Sequence, residues 1–288
     1  MIRTLWPLLT LILTACAPIN AFDALVPKDR GARLAARDQA FAPGDRGRLD
    51  VYVPKAASAS GKLPIIVFFY GGSWNSGSKE GYGFVGRALA AQGFVVALPD
   101  YRLTRDAPYP AFLEDGASAV RWVRANAGRF GGDPDRIILS GHSAGAYNAA
   151  MLSVDPRWLG ADRKAVRGLA ALAVPYSFLP LDTQVTQEVF GAVTDLDSTQ
   201  PIHFVSPDDP PALLMAGGKD HLVFGSNSVA MAMKLSEANV PVETRVYEDL
   251  GHVGVVTALS TLFRGKAPVL KDMTAFARKV TETRAAGN

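Results

Sequence analysis

Apolar residues occur along the chain in two patterns, one typical of buried strands and one typical of amphipathic helices. Short apolar runs rich in β-branched and aromatic residues predict strands, whereas apolar residues repeated at helical spacing predict helices. The predicted strands are residues 49–53, 64–70, 93–98, 136–140, 166–173, 211–216 and 242–247. The predicted helices are residues 83–92, a long helix from Pro110, and residues 143–153, 227–238 and 268–281.

The order of these elements predicts the fold class. Strands that alternate with helices form a mostly parallel central sheet covered by helices on both faces, so we expect an α/β protein. Residues 174–210 show no clear strand pattern and leave room for a short cap after the sixth strand. A single domain over residues 41–288 accounts for the pattern.

The first residues resemble the signal of a bacterial lipoprotein. A positive charge precedes a short apolar stretch, and Leu13-Thr14-Ala15-Cys16 resembles a site where cleavage leaves a lipid-modified cysteine. We expect a signal peptide at residues 1–15, a lipid on Cys16 and a tether over residues 16–40. Ala17 after the cysteine favours the periplasmic face of the outer membrane, so this anchor predicts a protein of the bacterial cell envelope. The alternative is an ordinary signal peptide beside an incidental cysteine.

Composition narrows the classes of function. The 288 residues are 48% hydrophobic and carry a formal net charge of only +3, without a dense run of lysine or arginine, which argues against nucleic-acid binding. The four histidines and the single cysteine form no cluster at metal-ligand spacing, and no loop resembles a dinucleotide site. We therefore expect neither a metal nor a cofactor.

One short motif carries a candidate nucleophile. Gly141-His142-Ser143-Ala144-Gly145 has the G-x-S-x-G pattern of a serine on a sharp turn between a strand and a helix. The motif follows a predicted strand and precedes a predicted helix, which is the setting that this chemistry requires. Ser143 is therefore the candidate nucleophile, and a structural glycine-rich turn is the alternative.

A second glycine motif follows an early strand. Residues 69–74 read Phe-Tyr-Gly-Gly-Ser-Trp. A developing oxyanion needs donors already aimed at it, and glycines let backbone N–H groups approach closely. We expect the N–H groups of Gly71, Gly72 and Ala144 to form an oxyanion hole, helped at Ala144 by the dipole of the following helix.

Candidates for the acid and the base follow the last two predicted strands. Asp220 comes after residues 211–216, and His252 comes after residues 242–247, which gives the order serine, acid, base. His252 would take the proton of Ser143, and Asp220 would orient the imidazole. The rivals are Asp195, Asp197 and Asp249 for the acid and His142, His203 and His221 for the base.

Together these residues resemble the α/β-hydrolase superfamily, in the esterase branch that has an HGG-type oxyanion loop and includes the BD-FAE-like carboxylesterases. The resemblance runs from Leu49 onward and is supported by residues 99–103, 119–123 and 132–136. It implies the α/β-hydrolase fold and a serine carboxylesterase that hydrolyses small or short-acyl esters through an acyl-enzyme intermediate.

The chain departs from this branch at Tyr70, where those esterases usually carry histidine before the two glycines. The departure leaves the loop geometry and the acyl preference open. Tyr70, Trp74 and His221 are candidates for the substrate pocket. Core packing is the alternative for Trp74, and a surface or packing position is the alternative for His221.

Other functions use the same machinery. Amidases, including kynurenine-formamidase-like enzymes, share the triad, and so do peptidases. The sequence shows no propeller domain of the kind that large prolyl peptidases carry, which makes a peptidase the weaker alternative. A non-catalytic binding protein on this fold is a third alternative, against which the complete set of serine, acid and base argues.

Overall fold

The structure is a computed structural model that describes residues 17–56 and 62–282. The predicted signal peptide and the predicted lipidation residue Cys16 lie outside these residues, so the anchor stays a sequence prediction. Among the helices of the described residues, none is both long enough and apolar enough to cross a membrane.

One sheet of eight strands organises the part of the chain that the structure describes. The strands are β1 (Ala32–Ala40), β2 (Arg48–Pro54), β3 (Leu63–Phe69), β4 (Val95–Pro99), β5 (Gly132–His142), β6 (Val166–Leu172), β7 (Ala212–Gly217) and β8 (Val242–Tyr247). Their spatial order is β1-β2-β4-β3-β5-β6-β7-β8. β2 runs antiparallel to both of its neighbours, and the other neighbouring strands are parallel. The predicted α/β class with a mostly parallel sheet is confirmed.

Helices cover both faces of this sheet. They are α1 (Ala17–Leu25), α2 (Gly83–Ala90), α3 (Ala111–Asn126), α4 (Ala144–Val154), α5 (Pro156–Leu159), α6 (Gln184–Phe190), α7 (Ser226–Glu237), α8 (His252–Thr257) and α9 (Val269–Thr281). α2 and α9 pack together on one face, and α3 and α4 pack together on the other. Because the central strands are covered on both sides, their sequences are continuous apolar runs, and residues 65–69 of β3 are fully buried.

The register of the parallel strands brings separate loops to one edge of the sheet. Phe69 at the end of β3 pairs with Gly141 near the end of β5. Gly217 at the end of β7 pairs with Tyr247 at the end of β8. The loop after β3 therefore lies beside the turn after β5, and the loops after β7 and β8 lie beside each other.

Residues 17–25 form α1 and residues 32–40 form β1, so the prediction of a tether over residues 16–40 is wrong for these elements. The Phe22 ring packs edge-on against Phe84 at 5.1 Å between centroids and stacks on Phe263 at 5.8 Å. The Asp23 carboxylate accepts the N–H of Phe84 at 2.6 Å. β1 pairs with β2 along its length. The folded unit therefore includes α1 and β1 and begins before residue 41.

Residues 174–210, where a short cap was expected, contain α6 and two 3₁₀ turns at Leu196–Thr199 and Pro201–Phe204. The segment is tied to the helical layer below it, because the Tyr147 hydroxyl of α4 donates to the carbonyl of Thr199 at 2.6 Å. It is a short helical connection on the α4 side of the sheet.

Candidate active site

Ser143 occupies a strained turn between β5 and α4. Its φ of 54° and ψ of −124° lie in a region that non-glycine residues rarely adopt, at a cost of roughly 1–3 kcal/mol. The turn is tight enough to exclude side chains on both flanks. A Cβ on Gly141 would lie 2.6 Å from the carbonyl carbon of Gly145, and a Cβ on Gly145 would collide with the carbonyls of Phe69 and Tyr70. The glycines of the motif are therefore required by close backbone contact.

The structure brings Ser143, His252 and Asp220 into one hydrogen-bonded row. His252 Nε2 lies 2.8 Å from Ser143 Oγ, and His252 Nδ1 lies 2.8 Å from Asp220 Oδ2. A carboxylate only accepts hydrogen bonds, so Nδ1 carries the proton and Nε2 is left to accept the Ser143 hydroxyl. This is the arrangement in which an imidazole acts as a general base toward a serine.

The carboxylate at the end of the row is held in place by backbone donors. Asp220 Oδ1 accepts the N–H groups of Leu222 and Val223, each at 2.9 Å. The Asp220 side chain is fully buried, whereas the His252 side chain is 11% exposed. The carboxylate of Asp220 is thus fixed and buried, whereas the imidazole of His252 is partly accessible to solvent.

The rival candidates share one property, which is that their side chains are exposed. They are Asp195, Asp197 and Asp249 for the acid and His203 and His221 for the base. Within residues 17–56 and 62–282, none of them has a hydrogen bond to Ser143 or His252. His221 is exposed, and its place in the substrate pocket stays a prediction.

The loop after β3 differs in detail from the predicted oxyanion hole. The Gly71 N–H donates to the Tyr82 hydroxyl at 3.1 Å, so it is committed elsewhere. In the described part of the chain, the N–H groups of Gly72, Ser73 and Ala144 have no acceptor. Gly72 and Ser73 also have positive φ angles, 141° and 53°. The predicted donors Gly72 and Ala144 thus remain available, Gly71 does not, and Ser73 is an additional candidate that the sequence reasoning missed.

His142, the rival nearest to the nucleophile, is buried beside the row. Its Nε2 lies 3.0 Å from the carbonyl oxygen of His252, and its Nδ1 lies 3.0 Å from the Tyr82 hydroxyl. Burial, followed by the charge of His252, lowers the pKa of His142 to about 3. His142 is therefore neutral at ordinary pH and has no contact with the Ser143 hydroxyl within the described residues.

Tyr70 lies behind the glycine loop, away from the predicted pocket. It is 1% exposed and stacks on Tyr101 at 4.4 Å between ring centroids. Arg46 donates to its hydroxyl at 3.0 Å and to the carbonyl of Gly77 at 2.8 Å. Placing Tyr70 in the substrate pocket is therefore wrong. Its ring is packed in the core, and Arg46 links its hydroxyl to the carbonyl of Gly77. The side chain therefore anchors the glycine loop.

Trp74 belongs to an aromatic cluster that we define as Trp74, Phe112, Tyr147, Phe178 and Phe190. The Trp74 ring contacts Phe190 at 5.0 Å and Tyr147 at 5.1 Å, and its indole N–H donates to Asn148 Oδ1 at 3.1 Å. Most of the cluster is buried, and Phe178 is its half-buried member. Trp74 follows the glycine loop, and the Tyr147 N–H donates to the Ser143 carbonyl at 3.0 Å, so the cluster packs against the segments on both sides of the Ser143 turn.

Comparison with known families agrees with this architecture. Residues 112–283 match the prolyl oligopeptidase family, and residues 49–167 match the BD-FAE family. Esterase B of Lactobacillus rhamnosis superposes with a TM-score of 0.80 at 20% identity, over 93% of this chain and 92% of that chain. A truncated carbohydrate esterase from gut microbiota superposes with a TM-score of 0.75 at 21% identity, over 89% of this chain and 99% of that chain.

Curated relatives match over a shorter part of the sequence. Carboxylesterase NlhH of Mycobacterium tuberculosis is 43% identical over 100 residues, which are 34% of this chain and 31% of that protein. Gut esterase 1 of Caenorhabditis briggsae is 38% identical over 135 residues, which are 43% of this chain and 24% of that protein. The matched part is thus less than a third of these relatives. Because the match at residues 112–283 covers more than half of the chain, the protein belongs to the prolyl oligopeptidase family and has the α/β-hydrolase fold.

Proposed function

We propose that this protein is a serine carboxylesterase that hydrolyses short-acyl esters through an acyl-enzyme intermediate. The observation that carries the proposal is the row of 2.8 Å contacts from Ser143 through His252 to Asp220. Its position at the edge where the parallel strands end is where sheets of this kind build their sites. The esterase relatives support the same reaction type.

The chemistry proceeds in two acyl transfers. His252 Nε2 takes the Ser143 proton as Oγ attacks the ester carbonyl, and the buried Asp220 carboxylate stabilises the imidazolium that forms. The imidazolium then returns the proton to the leaving alcohol. In the second half, His252 deprotonates a water that attacks the acyl-enzyme, and Ser143 is released with its proton restored.

The negative charge of the tetrahedral intermediate needs preorganised donors. We assign this role to the N–H groups of Gly72, Ser73 and Ala144, which have no other acceptor in the described residues. Ala144 begins α4, so the helix dipole adds to its donor strength. Mutations that remove one donor from such a site cost about 100- to 1,000-fold in kcat.

The aromatic cluster supports the short-acyl part of the proposal. Its rings are packed against one another at centroid distances near 5 Å beside the nucleophile. Because these rings are close-packed near the Ser143 turn, we expect little room on that side for a long acyl chain, and a small acyl group is favoured. Acetyl and propionyl esters are the expected substrates.

The proposal is tested by Ser143→Ala on a panel of p-nitrophenyl acetate, butyrate and hexanoate, an N-formyl aryl amide, and a proline p-nitroanilide. The wild-type protein should turn over the acetate fastest, and Ser143→Ala should lower kcat by at least about 10,000-fold. The amide and the anilide separate esterase activity from amidase and peptidase activity on the same triad. Ser153→Ala is the matched control, because it removes another α4 hydroxyl, one that donates to the carbonyl of Ala149.

Labelling with a fluorophosphonate completes this test. The wild-type protein and Ser153→Ala should be labelled at Ser143, and Ser143→Ala should not. Ester turnover retained by Ser143→Ala would remove this serine from the mechanism. A wild-type protein that neither hydrolyses the panel nor takes the label would instead be a binding protein.

A further inference from the structure

The side chain next to the nucleophile connects both sides of the candidate site. The Gly71 N–H lies 3.1 Å from the Tyr82 hydroxyl, which lies 3.0 Å from His142 Nδ1. His142 Nε2 in turn lies 3.0 Å from the carbonyl oxygen of His252. The chain of contacts therefore runs from the oxyanion loop to the base, through a histidine that no catalytic step uses.

The direction of each of these three hydrogen bonds follows from the chemistry of its donor and acceptor. The carbonyl of His252 only accepts, so His142 Nε2 must carry the proton. His142 is neutral, so its Nδ1 is then a bare acceptor, and the Tyr82 hydroxyl must donate to it. The lone pairs of the Tyr82 oxygen are left to accept the Gly71 N–H. All the donors and acceptors in the chain match in one arrangement only.

We infer that Tyr82 and His142 are positioning residues that align the oxyanion loop with the catalytic base across Ser143. The inference rests on the proposed esterase function and assigns residues that the triad does not include. Both side chains are buried, at 3% and 4% exposure. Hydrogen bonds between such groups are rigid, because water is not there to replace a lost partner.

Each end of this series of hydrogen bonds holds a segment of the candidate site. α8 has six residues and begins at His252 itself, and its N-cap Gly251 provides no side-chain capping bond. At the other end, Gly72 and Ser73 follow Gly71 in positive-φ conformations. Gly71 also packs directly on the motif, since a Cβ there would lie 2.9 Å from His142 Nδ1 and 3.1 Å from Ser143 Cβ. A fixed position of Gly71 therefore fixes where the N–H groups of Gly72 and Ser73 begin relative to Ser143.

Tyr82→Phe removes one oxygen atom and breaks the chain in the middle. The Gly71 N–H loses its acceptor and His142 Nδ1 loses its donor. The glycine loop and His252 are then no longer linked by hydrogen bonds. Small displacements of catalytic groups are costly, so kcat for p-nitrophenyl acetate should fall by about 10- to 100-fold. KM should stay within about twofold, because the lost alignment matters mainly in the transition state.

Tyr176→Phe is the matched control. Tyr176 is also fully buried, and its hydroxyl is among the buried atoms of the described residues that have no hydrogen-bond partner. Its kcat should equal that of the wild type. If Tyr82→Phe keeps the wild-type kcat, or if Tyr176→Phe loses as much, the positioning role is refuted. His142→Gln, which retains a donor for the His252 carbonyl, should recover part of the activity that His142→Phe loses.

Nitrogen-15 NMR of the wild-type imidazoles tests the same arrangement without turnover. His142 should be in the neutral form with the proton on Nε2, and the Nδ1–H form would overturn the inference because Nδ1 could then not accept the Tyr82 hydroxyl. This readout stands even if Tyr82→Phe fails to fold. If the wild type hydrolyses no ester, only the proposed function is refuted. The tautomer of His142 and the rate at which a fluorophosphonate labels Tyr82→Phe still test the positioning role.

Discussion

At the scale of single residues, we predict that Phe178 limits the room for the acyl chain. It is the half-buried member of the aromatic cluster, with its ring centroid 5.0 Å from Phe190 and 6.3 Å from Trp74. Phe178→Ala opens the edge of the cluster while leaving the buried rings in place. Each acyl methylene that finds room there gains about 0.8 kcal/mol, or about fourfold in kcat/KM.

The measurement is the ratio of kcat/KM for hexanoate over acetate, which should rise in Phe178→Ala. Phe130→Ala is the control, because Phe130 is also half-buried but precedes β5, at the opposite end of that strand from Ser143. An unchanged ratio in Phe178→Ala would show that the acyl chain does not extend toward the cluster.

The residues of the site differ in how far their sequence could predict them. Ser143, Asp220 and His252 could be predicted because a strand-turn-helix motif and the order of the last strands mark them. Tyr82 could not, because it lies in a 3₁₀ turn without a motif and reaches Gly71 and His142 only through the fold. The hydrogen bond from the Gly71 N–H to the Tyr82 hydroxyl could not be predicted for the same reason.

At the scale of elements, prediction succeeded where burial imposes a pattern and failed where it does not. The seven strands from β2 to β8 were all predicted, the central ones from their continuous apolar runs. β1 has a mixed sequence, and its pairing with β2 shifts register at two places, so the regular alternation of an edge strand is lost. α1 and α8 are too short, at nine and six residues, to give a clear helical period.

α1 provides a direct test of whether residues before β1 belong to the fold. Phe22 packs between Phe84 and Phe263, whereas Leu25 on the same helix is 84% exposed. Phe22→Ala should lower the free energy of unfolding by about 2 kcal/mol, less than the value for a fully buried ring because Phe22 is half-buried. Leu25→Ala should change it by less than about 0.5 kcal/mol.

Urea unfolding followed by circular dichroism measures both variants. Equal stability of Phe22→Ala and the wild type would mean that α1 does not dock in solution, and the prediction of a tether would regain its basis.

At the scale of the whole molecule, a group of charges around Lys79 joins the two N-terminal strands to the 3₁₀ turn of residues 79–82. Lys79 is 1% exposed and lies 2.6 Å from Asp38, 2.7 Å from Glu80 and 3.1 Å from Asp50. Its ammonium is therefore shared among three carboxylates. This group links β1, β2 and the 3₁₀ turn that contains Tyr82, so the edge of the sheet and the site are braced together.

Asp100 is the member of this region that is not neutralised by close contact. It accepts the backbone N–H of Lys79 at 3.0 Å, and its nearest cation is Arg46 at 3.8 Å. Burial raises the pKa of Asp100 from its usual 3.8 to about 6. Between about pH 4 and pH 6 the folded protein therefore binds more protons at this residue than the unfolded chain. The contribution of Asp100 to stability thus falls as pH rises through that window and is constant above it.

Asp100→Asn removes this loss, because the amide oxygen still accepts the Lys79 N–H and no charge forms. Relative to the wild type, the variant should gain free energy of unfolding as pH rises from about 4 to about 6, by at most about 3 kcal/mol at about 1.4 kcal/mol for each pKa unit. Urea titrations at several pH values measure the difference, with Asp208→Asn as an exposed control. A difference that stays flat or shrinks over this range would mean that Arg46 and Lys79 neutralise Asp100 fully and that burial does not control its charge.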